Sequence, residues 1–253
     1  MTISLRIRVW ALMLLPGVVA GQGNLSTQGY GYPQGQLSTR ALSLGGGTGE
    51  LDQTTPLNPA STGMLVTRTI AFQIEPEFRT LFNNGAREKT TTARYPVIYA
   101  GVPFGDNWVT SVSSSTLLDR SWKTSTTRFA PVGTDSVSTT FNEQSEGAIN
   151  DLQIAEAWTN RRWLAVGVAI HGITGRNLVT TGRDFADTTD FSPFSLSRTL
   201  DYSGIAGSAG VQFIINEKGA VGVSYRKGGH LRAHLNDSLV AQGTVPDHFG
   251  ISA

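Results

Sequence analysis

The chain has 253 residues, enough for one sizeable domain or two small ones, and its formal net charge of +1 offers no global electrostatic case for a nucleic-acid or acidic partner. Charged residues make up only 15 % and glycine is frequent at 29 residues, against about a quarter charged in soluble globular domains; the balance suits strands apolar on one face and small or polar on the other. There is no cysteine, which excludes disulfides, thiolate metal ligands, iron–sulfur clusters and a cysteine nucleophile together.

The N-terminus has the build of a secretory signal peptide, residues 1–20. Arg6 and Arg8 supply the positive region, an apolar run follows from Val9 to Leu15, and Val18 and Ala20 are the small residues before a cut. The run falls short of the roughly 20 residues a helix needs to span a bilayer. No later stretch is long and apolar enough to do so. The mature chain is therefore expected either to be soluble outside the cytoplasm or to enter a membrane as a closed barrel of strands, since only helices and closed barrels satisfy every backbone group in lipid.

Residues 21–63 precede the first strand pattern and hold two local signals. Gly45, Gly46 and Gly47 permit tight backbone turns and close packing. The run lacks the Gly-Lys-Ser/Thr ending of a phosphate-binding loop, so a turn role is expected instead. Asn58, ahead of Pro59 and Ala60, is held extended or in a turn by the proline and can bond local backbone.

Residues 64–253 alternate with the period of two that marks half-buried strands. In Thr69 to Arg79, Ile70, Phe72, Ile74 and Phe78 share one face, and Gln73, Glu75, Glu77 and Arg79 the other. In Arg162 to Gly172, Leu164, Val166, Val168 and Ile170 oppose Ala165, Gly167, Ala169 and His171. In Gly207 to Asn216, Val211, Phe213 and Ile215 oppose Ser208, Gly210 and Gln212, and in Gly219 to Arg226, Val221, Val223 and Tyr225 oppose Gly222, Ser224 and Arg226. Bulky residues thus share one face while the other is Gly, Ala and Ser, the reverse of a soluble sandwich with a bulky interior and a charged exterior. Trp108 to Leu118 is mostly Ser and Thr on both faces, and Glu156 falls on the apolar face of Asp151 to Thr159. A carboxylate at mid-membrane depth costs a few kcal/mol, so Glu156 is expected near an interface or after a bulge, or counts against a membrane strand.

The connections alternate in length. Gly105 to Asn107, Asn160 to Arg161 and Asn216 to Lys218 are short; Leu81 to Thr92, Ser121 to Ser145, Asn177 to Ser197 and Leu235 to Thr244 are long and polar, expected as loops. Bacterial outer-membrane barrels have this asymmetry, tight turns at one end and long loops at the other. Trp108, Trp158 and Trp163 lie beside the short turns, where an interfacial aromatic girdle belongs. The reading gives seven complete strands and an eighth beginning at Val245. An odd, open set cannot sit in lipid, so the chain is expected to belong to a longer barrel, the alternative being closure as eight strands through Pro246 to Ala253.

Thr39-Arg40-Ala41-Leu42-Ser43-Leu44-Gly45-Gly46-Gly47, Asp52 and Leu57-Asn58-Pro59-Ala60-Ser61 together resemble the N-terminal signature of the FadL-type outer-membrane transport proteins and the related PorV-like barrels. Ser43 and Ser61 stand where those patterns carry glycine. Thr244-Val245-Pro246-Asp247-His248-Phe249-Gly250 resembles a Pro-Asp-initiated strand further along such barrels. The resemblance covers residues 38–63, with only the architecture matching beyond. It implies an all-β transmembrane antiparallel barrel of roughly fourteen strands, within the even counts of single-chain bacterial barrels. An N-terminal plug lies in its lumen, with Gly45, Gly46, Gly47, Asn58, Pro59 and Ala60 as the plug motif, and hydrophobic small molecules pass.

Candidate chemistry beyond this is sparse. His230 and His234 are four apart outside a helix, a spacing that does not bring them to one face, so no metal site is expected. Serine, histidine and aspartate are present without a Gly-x-Ser-x-Gly elbow, so no catalytic centre and no cofactor is expected. Glu75, Glu77, Arg79 and Arg226 are expected to face the lumen, as pore charges or as solvated wall residues. The leading reading is an exported outer-membrane barrel whose partners are lipid and a hydrophobic small molecule, with no nucleic acid. Its rivals are a PorV-like barrel serving secretion-system proteins or surface attachment, and a soluble secreted β-protein with a binding role.

Overall fold

A computed structural model describes residues 36–83, 86–132, 135–186, 190–216, 219–236 and 238–253. The signal peptide expected at residues 1–20 lies outside the described residues, as does the part of the expected plug segment before residue 36. The fold is all-β and antiparallel. In chain order the strands are β1 (Thr69–Phe72), β2 (Glu75–Asn83), β3 (Ala86–Arg94), β4 (Val97–Phe104), β5 (Trp108–Asp119), β6 (Trp122–Val132), β7 (Asp135–Thr159), β8 (Leu164–Phe185), β9 (Phe194–Asn216), β10 (Gly219–Lys227), β11 (His230–Leu235), β12 (Ser238–Thr244) and β13 (His248–Ser252).

The main sheet runs β1-β4-β5-β7-β8-β9-β10-β13, with β6 on β7, β11 between β9 and β12, and β2-β3 as a separate hairpin. Its central strands are long: β7 has 25 residues, β8 22 and β9 23. The sheet is a meander and stays open, with β1 at one edge and β13 at the other. The register places the three short connections at one end, where Phe104 pairs with Trp108, Thr159 with Ala165, and Asn216 with Gly219. At that end Arg161 takes a left-handed turn conformation (φ 58°). Its guanidinium donates to the carbonyls of Asp106 and Leu65.

At the other end the structure corrects the sequence reading. The four long polar stretches expected as loops are largely paired strand: Glu75–Asn83 on Ala86–Arg94, Trp122–Val132 on Asp135–Ser145, Asn177–Arg183 on Phe194–Leu200, and Ser238–Thr244 on His230–Leu235. Polarity alone marked them as loops. Thr-rich alternation has strand propensity, and extending each hairpin pairs backbone groups that a loop leaves to solvent. The eighth wall strand likewise starts at Ser238, not Val245. It breaks at 245–247, where Asp247 accepts hydrogen bonds from the Gly228 amide (2.8 Å) and the Tyr225 hydroxyl (2.6 Å).

The two faces are sharply different. Ile70, Ile154, Val168, Ile170, Ile205, Ile215, Phe249 and Ile251 are all more than half exposed on the outer face. The opposite face is buried and small, with Ala155, Ala157, Ala165, Ala169, Ser208 and Ser224 beneath the N-terminal segment. Glu156 does lie on the outer face. It is half-buried, three residues before the end of β7 in an unbroken register, and accepts a hydrogen bond from Thr110 Oγ1 at 2.7 Å.

Candidate functional site

Residues 36–65 form a compact knot against the small-residue face. Ser38 caps a short helix, α1 (Thr39–Ser43): its Oγ accepts from the Ala41 amide and donates to Asp52 Oδ2 at 2.7 Å. Gly45 (φ 68°) and Gly46 (φ 80°) end that helix in the left-handed region, where glycine carries no Cβ penalty, and their amides return to the carbonyls of Leu42 and Ala41. Asn58 is extended (φ −109°, ψ 109°), as a residue before proline is driven to be, and its Oδ1 caps the 3₁₀ helix Pro59–Met64 by accepting the Ala60 amide. Its Nδ2 donates to the Glu50 carbonyl at 2.8 Å. Ser61 Oγ lies within hydrogen-bond reach of the carbonyls of Asp52 and Asn58. The residues singled out in the sequence are thus brought together, knotting the segment to itself.

The segment meets the wall by shape. A Cβ on Gly167 would sit 2.5 Å from the Pro59 carbonyl carbon, one on Gly210 would sit 1.9 Å from Asn58 Oδ1, and one on Gly222 would sit 2.7 Å from the Glu50 carbonyl oxygen. Gly63 of the knot rests in turn on Ala157 and Ala165. The small face expected to be wetted by a lumen is, at this level, covered by backbone. Glu50 is the deepest carboxyl of the knot, beside Gly250 and Ser224, and its amide donates to Ser252 Oγ at 3.1 Å. Burial pushes its pKa above the ordinary 4.5, only partly offset by the Ser224 hydrogen bond and the nearby His248.

A second set of contacts is polar. Asp151 on β7 accepts Arg226 Nη1 at 2.6 Å and Gln36 Nε2 at 2.9 Å on Oδ2, and His171 Nδ1 lies 3.0 Å from both its oxygens. Gln36 Nε2 also donates to Ser115 Oγ (2.6 Å), and His171 Nε2 lies 2.8 Å from Ser208 Oγ. All six side chains are buried. With Asp151 as a carboxylate facing Arg226, the His171 tautomer that fits these contacts carries a proton on Nδ1 toward the carboxylate. Nε2 then presents its lone pair and accepts from the Ser208 hydroxyl. Arg226 and Asp151 stand three strands apart, about 14 Å across the strands of a flat sheet, and four residues out of register besides, so their direct contact requires the wall to curl inward.

Arg226, expected to face the lumen, is held in this hub rather than solvated. Glu75 is tied to Gln73, whose Oε1 receives the Thr39 amide at the start of α1. Glu77 and Arg79 are on β2, opposite Thr92 and Thr90, with side chains outside the described part of the structure. Gln36, Glu50, Ser115, Asp151 and Ser208 were not legible as site residues. The alternation puts His171 and Ser208 on the small face, but nothing local to either strand says that they meet. One row toward the long hairpins, Ile149, Ile173, Tyr202, Ala206 and Ala233 form an apolar cluster on the same face, rimmed by Leu117, Leu118, Leu200, Leu231 and Val245. Among the described residues no group of three or more His, Asp or Glu is placed to hold a metal ion. No protein-family model, curated protein or solved structure matches the chain.

Proposed function

We propose that this chain forms wall and plug of an outer-membrane β-barrel that passes hydrophobic small molecules. One observation carries the reading: the wall turns its bulky apolar side chains outward and receives the N-terminal knot on the small-residue face. A water-soluble sheet buries its bulky face and exposes its polar one. No helix among the described residues is long and apolar enough to cross a membrane, so the crossing elements in this proposal are strands.

The dimensions agree. The outward apolar residues of β9 run from Ile205 to Ile215, ten steps or about 33 Å at roughly 3.3 Å per residue, which becomes about 25 Å along the normal at a tilt near 40°. The band is also oblique to the hydrogen-bonded rows. Glu156 bounds it in the Val168 row on β7, while exposed Lys227 bounds its other side one pleat away, in the Ile170 row on β10. Tilted strands impose that slant. Beyond the band, Arg176 and Asp201 pair on the outer face at 2.7 Å, with His234 opposite Asp201, as suits a headgroup level. The apolar cluster on the plug side supports a hydrophobic passenger.

In lipid the open edges at β1 and β13 must be paired, because unpaired backbone is not tolerated there. The test begins with extraction: the protein should need detergent and show a heat-modifiable gel mobility. Reconstituted in vesicles, it should then speed entry of an apolar fluorescent solute, and a disulfide introduced to lock the knot to the wall should stop that entry. A monomer stable in water without amphiphile overturns the membrane reading. Unchanged uptake together with co-purifying secretion proteins overturns the transport reading alone.

A further inference from the structure

We infer that Ser208, His171 and Asp151 form a nucleophile–base–orienter relay able to cleave carboxylic esters of apolar acyl groups once Gln36 withdraws. The arrangement goes beyond passage of a solute and does not rest on it. Three adjacent strands deliver the groups to one face: Asp151 from β7, His171 from β8 and Ser208 from β9. The distances are those a general base needs, 2.8 Å from Ser208 Oγ to His171 Nε2 and 3.0 Å from His171 Nδ1 to Asp151. The contacts suit the required tautomer, in which Nδ1 donates to the carboxylate and Nε2 is left to receive the proton of the serine.

A fourth group completes the set. Arg226 pairs directly across from Ser208 in the β9–β10 register. One of its nitrogens is spent on Asp151, while Nε and Nη2 are buried without a hydrogen-bond partner among the described residues. Unsatisfied buried donors are costly, so two of them on the residue paired with the serine need a reason. N–H groups aimed at a site where oxygen charge develops are what an acyl transfer requires. The adjoining cluster of Ile149, Ile173, Ala206 and Ala233 offers the acyl chain an apolar surface.

The chemistry balances without an outside oxidant or metal. Ser208 Oγ bonds to the ester carbonyl carbon and its proton passes to His171 Nε2, while the carbonyl π pair moves to oxygen beside Arg226. Collapse breaks the bond to the alkoxy oxygen, which takes the proton from His171 and leaves as an alcohol. Water then loses a proton to Nε2 and adds to the acyl carbon; collapse breaks the bond to Ser208 Oγ, which takes that proton back from Nε2, and the acid leaves. The sum is ester plus water giving acid plus alcohol.

In the resting structure Ser208 is only 8 % exposed, and Gln36 is the one side chain of the N-terminal segment, among the described residues, bonded to the hub. The full chain in detergent is therefore treated with a long-chain alkyl fluorophosphonate and digested, and the modified peptide is identified by mass spectrometry. An adduct on Ser208 is expected, forming about tenfold faster in Gln36→Ala or Gln36→Ser, where a hydrogen bond to a charged group is lost. It should disappear in His171→Gln. Absence of any Ser208 adduct in the wild type and both Gln36 variants overturns the inference. So does labelling of Ser208 at an undiminished rate in His171→Gln, which would show a serine that owes nothing to the relay. Because the assay reads a covalent mass on one residue, its failure leaves the membrane and transport tests untouched.

Discussion

Gly167→Ala isolates the fit between knot and wall. The added methyl would lie 2.5 Å from the Pro59 carbonyl carbon and 2.6 Å from both the Pro59 oxygen and the Ala60 nitrogen, where ordinary contact begins near 3.4 Å. About 1 Å must be found, and the obstacle is backbone beside a proline, flanked by fully buried Ala165 and Ala60. Overpacking of this kind costs about 1–3 kcal/mol, which raises the undocked population of the knot between about fivefold and more than a hundredfold. Gly172→Ala is the control: it lies five residues along the same strand on the outer face, with its nearest contact 3.9 Å away at the Leu152 carbonyl oxygen. There the substitution is expected to be neutral or slightly stabilising, because alanine costs less backbone entropy than glycine in a strand. A cysteine-free chain gives a clean reporter. In a Thr62→Cys background the thiol is buried, and maleimide should reach it faster in Gly167→Ala than in Gly172→Ala by the factor above. Equal labelling and melting of the two variants, within about 0.5 kcal/mol, would refute the claim that close approach of backbone is why the inner face is small.

Arg226→Met leaves Asp151 buried beside His171 and Gln36 without its cation, and should cost about 3–5 kcal/mol in urea unfolding, with Asp151→Asn added on top restoring a substantial part. Glu50 sets a pH dependence of definite sign. Its folded pKa is raised, so its contribution is complete below the ordinary 4.5 and is lost as pH rises through the elevated folded value. Thr62→Cys labelling should accordingly quicken above that range, and Glu50→Gln should flatten the profile. Ile170→Arg separates lipid from water around the outer face: at 71 % exposure it should be nearly neutral for a soluble protein, yet cost about 2–4 kcal/mol of stability in vesicles if the band faces acyl chains. Vesicle refolding followed by tryptophan fluorescence reads this directly.

The two-faced wall was legible because a strand's period of two is local. Val166, Val168 and Ile170 against Ala165, Gly167 and Ala169 need no neighbour to be read, and the turns at Gly105 to Asn107 and Asn160 to Arg161 carry their own punctuation. The motif residues were legible for the same reason: Asn58 before Pro59 and the Gly45-Gly46 pair act within a few residues of themselves. What failed was anything that depends on register. Thr124 to Thr127 look like loop until they are seen opposite Thr140 and its neighbours on β7. Arg226 was visible as an inward charge, but its partner lies 75 positions away on a strand three removed. The inward glycines carried no hint of purpose, since what fills the space above them comes from residues 50–63.

These observations together explain how the knot can be held firmly and still be releasable. Inner-face residues such as Ala155, Ala157, Gly167 and Gly210 are too short to meet one another across a curled wall, so the space over them must be filled by something else. Bare backbone fills it, and buried backbone needs hydrogen-bond partners. The knot supplies them largely from within, through Ser38, Asp52, Asn58 and Ser61. Among the described residues the direct hydrogen bonds between knot and wall are concentrated on Glu50, to Ser252 and Ser224, and on Gln36, to Ser115, Asp151 and Arg226; Thr39 to Gln73, Arg161 to the Leu65 carbonyl and the long contact from Asn58 to the Val211 carbonyl are the others. Leaving the wall therefore orphans polar groups mainly at Gln36 and Glu50, and elsewhere what resists departure is close contact spread over many small residues. Such contact is lost almost completely within the first ångström or so of separation. The knot should accordingly exchange between docked and undocked states with few intermediates, and the Gln36 ties to the hub determine which surface is uncovered first.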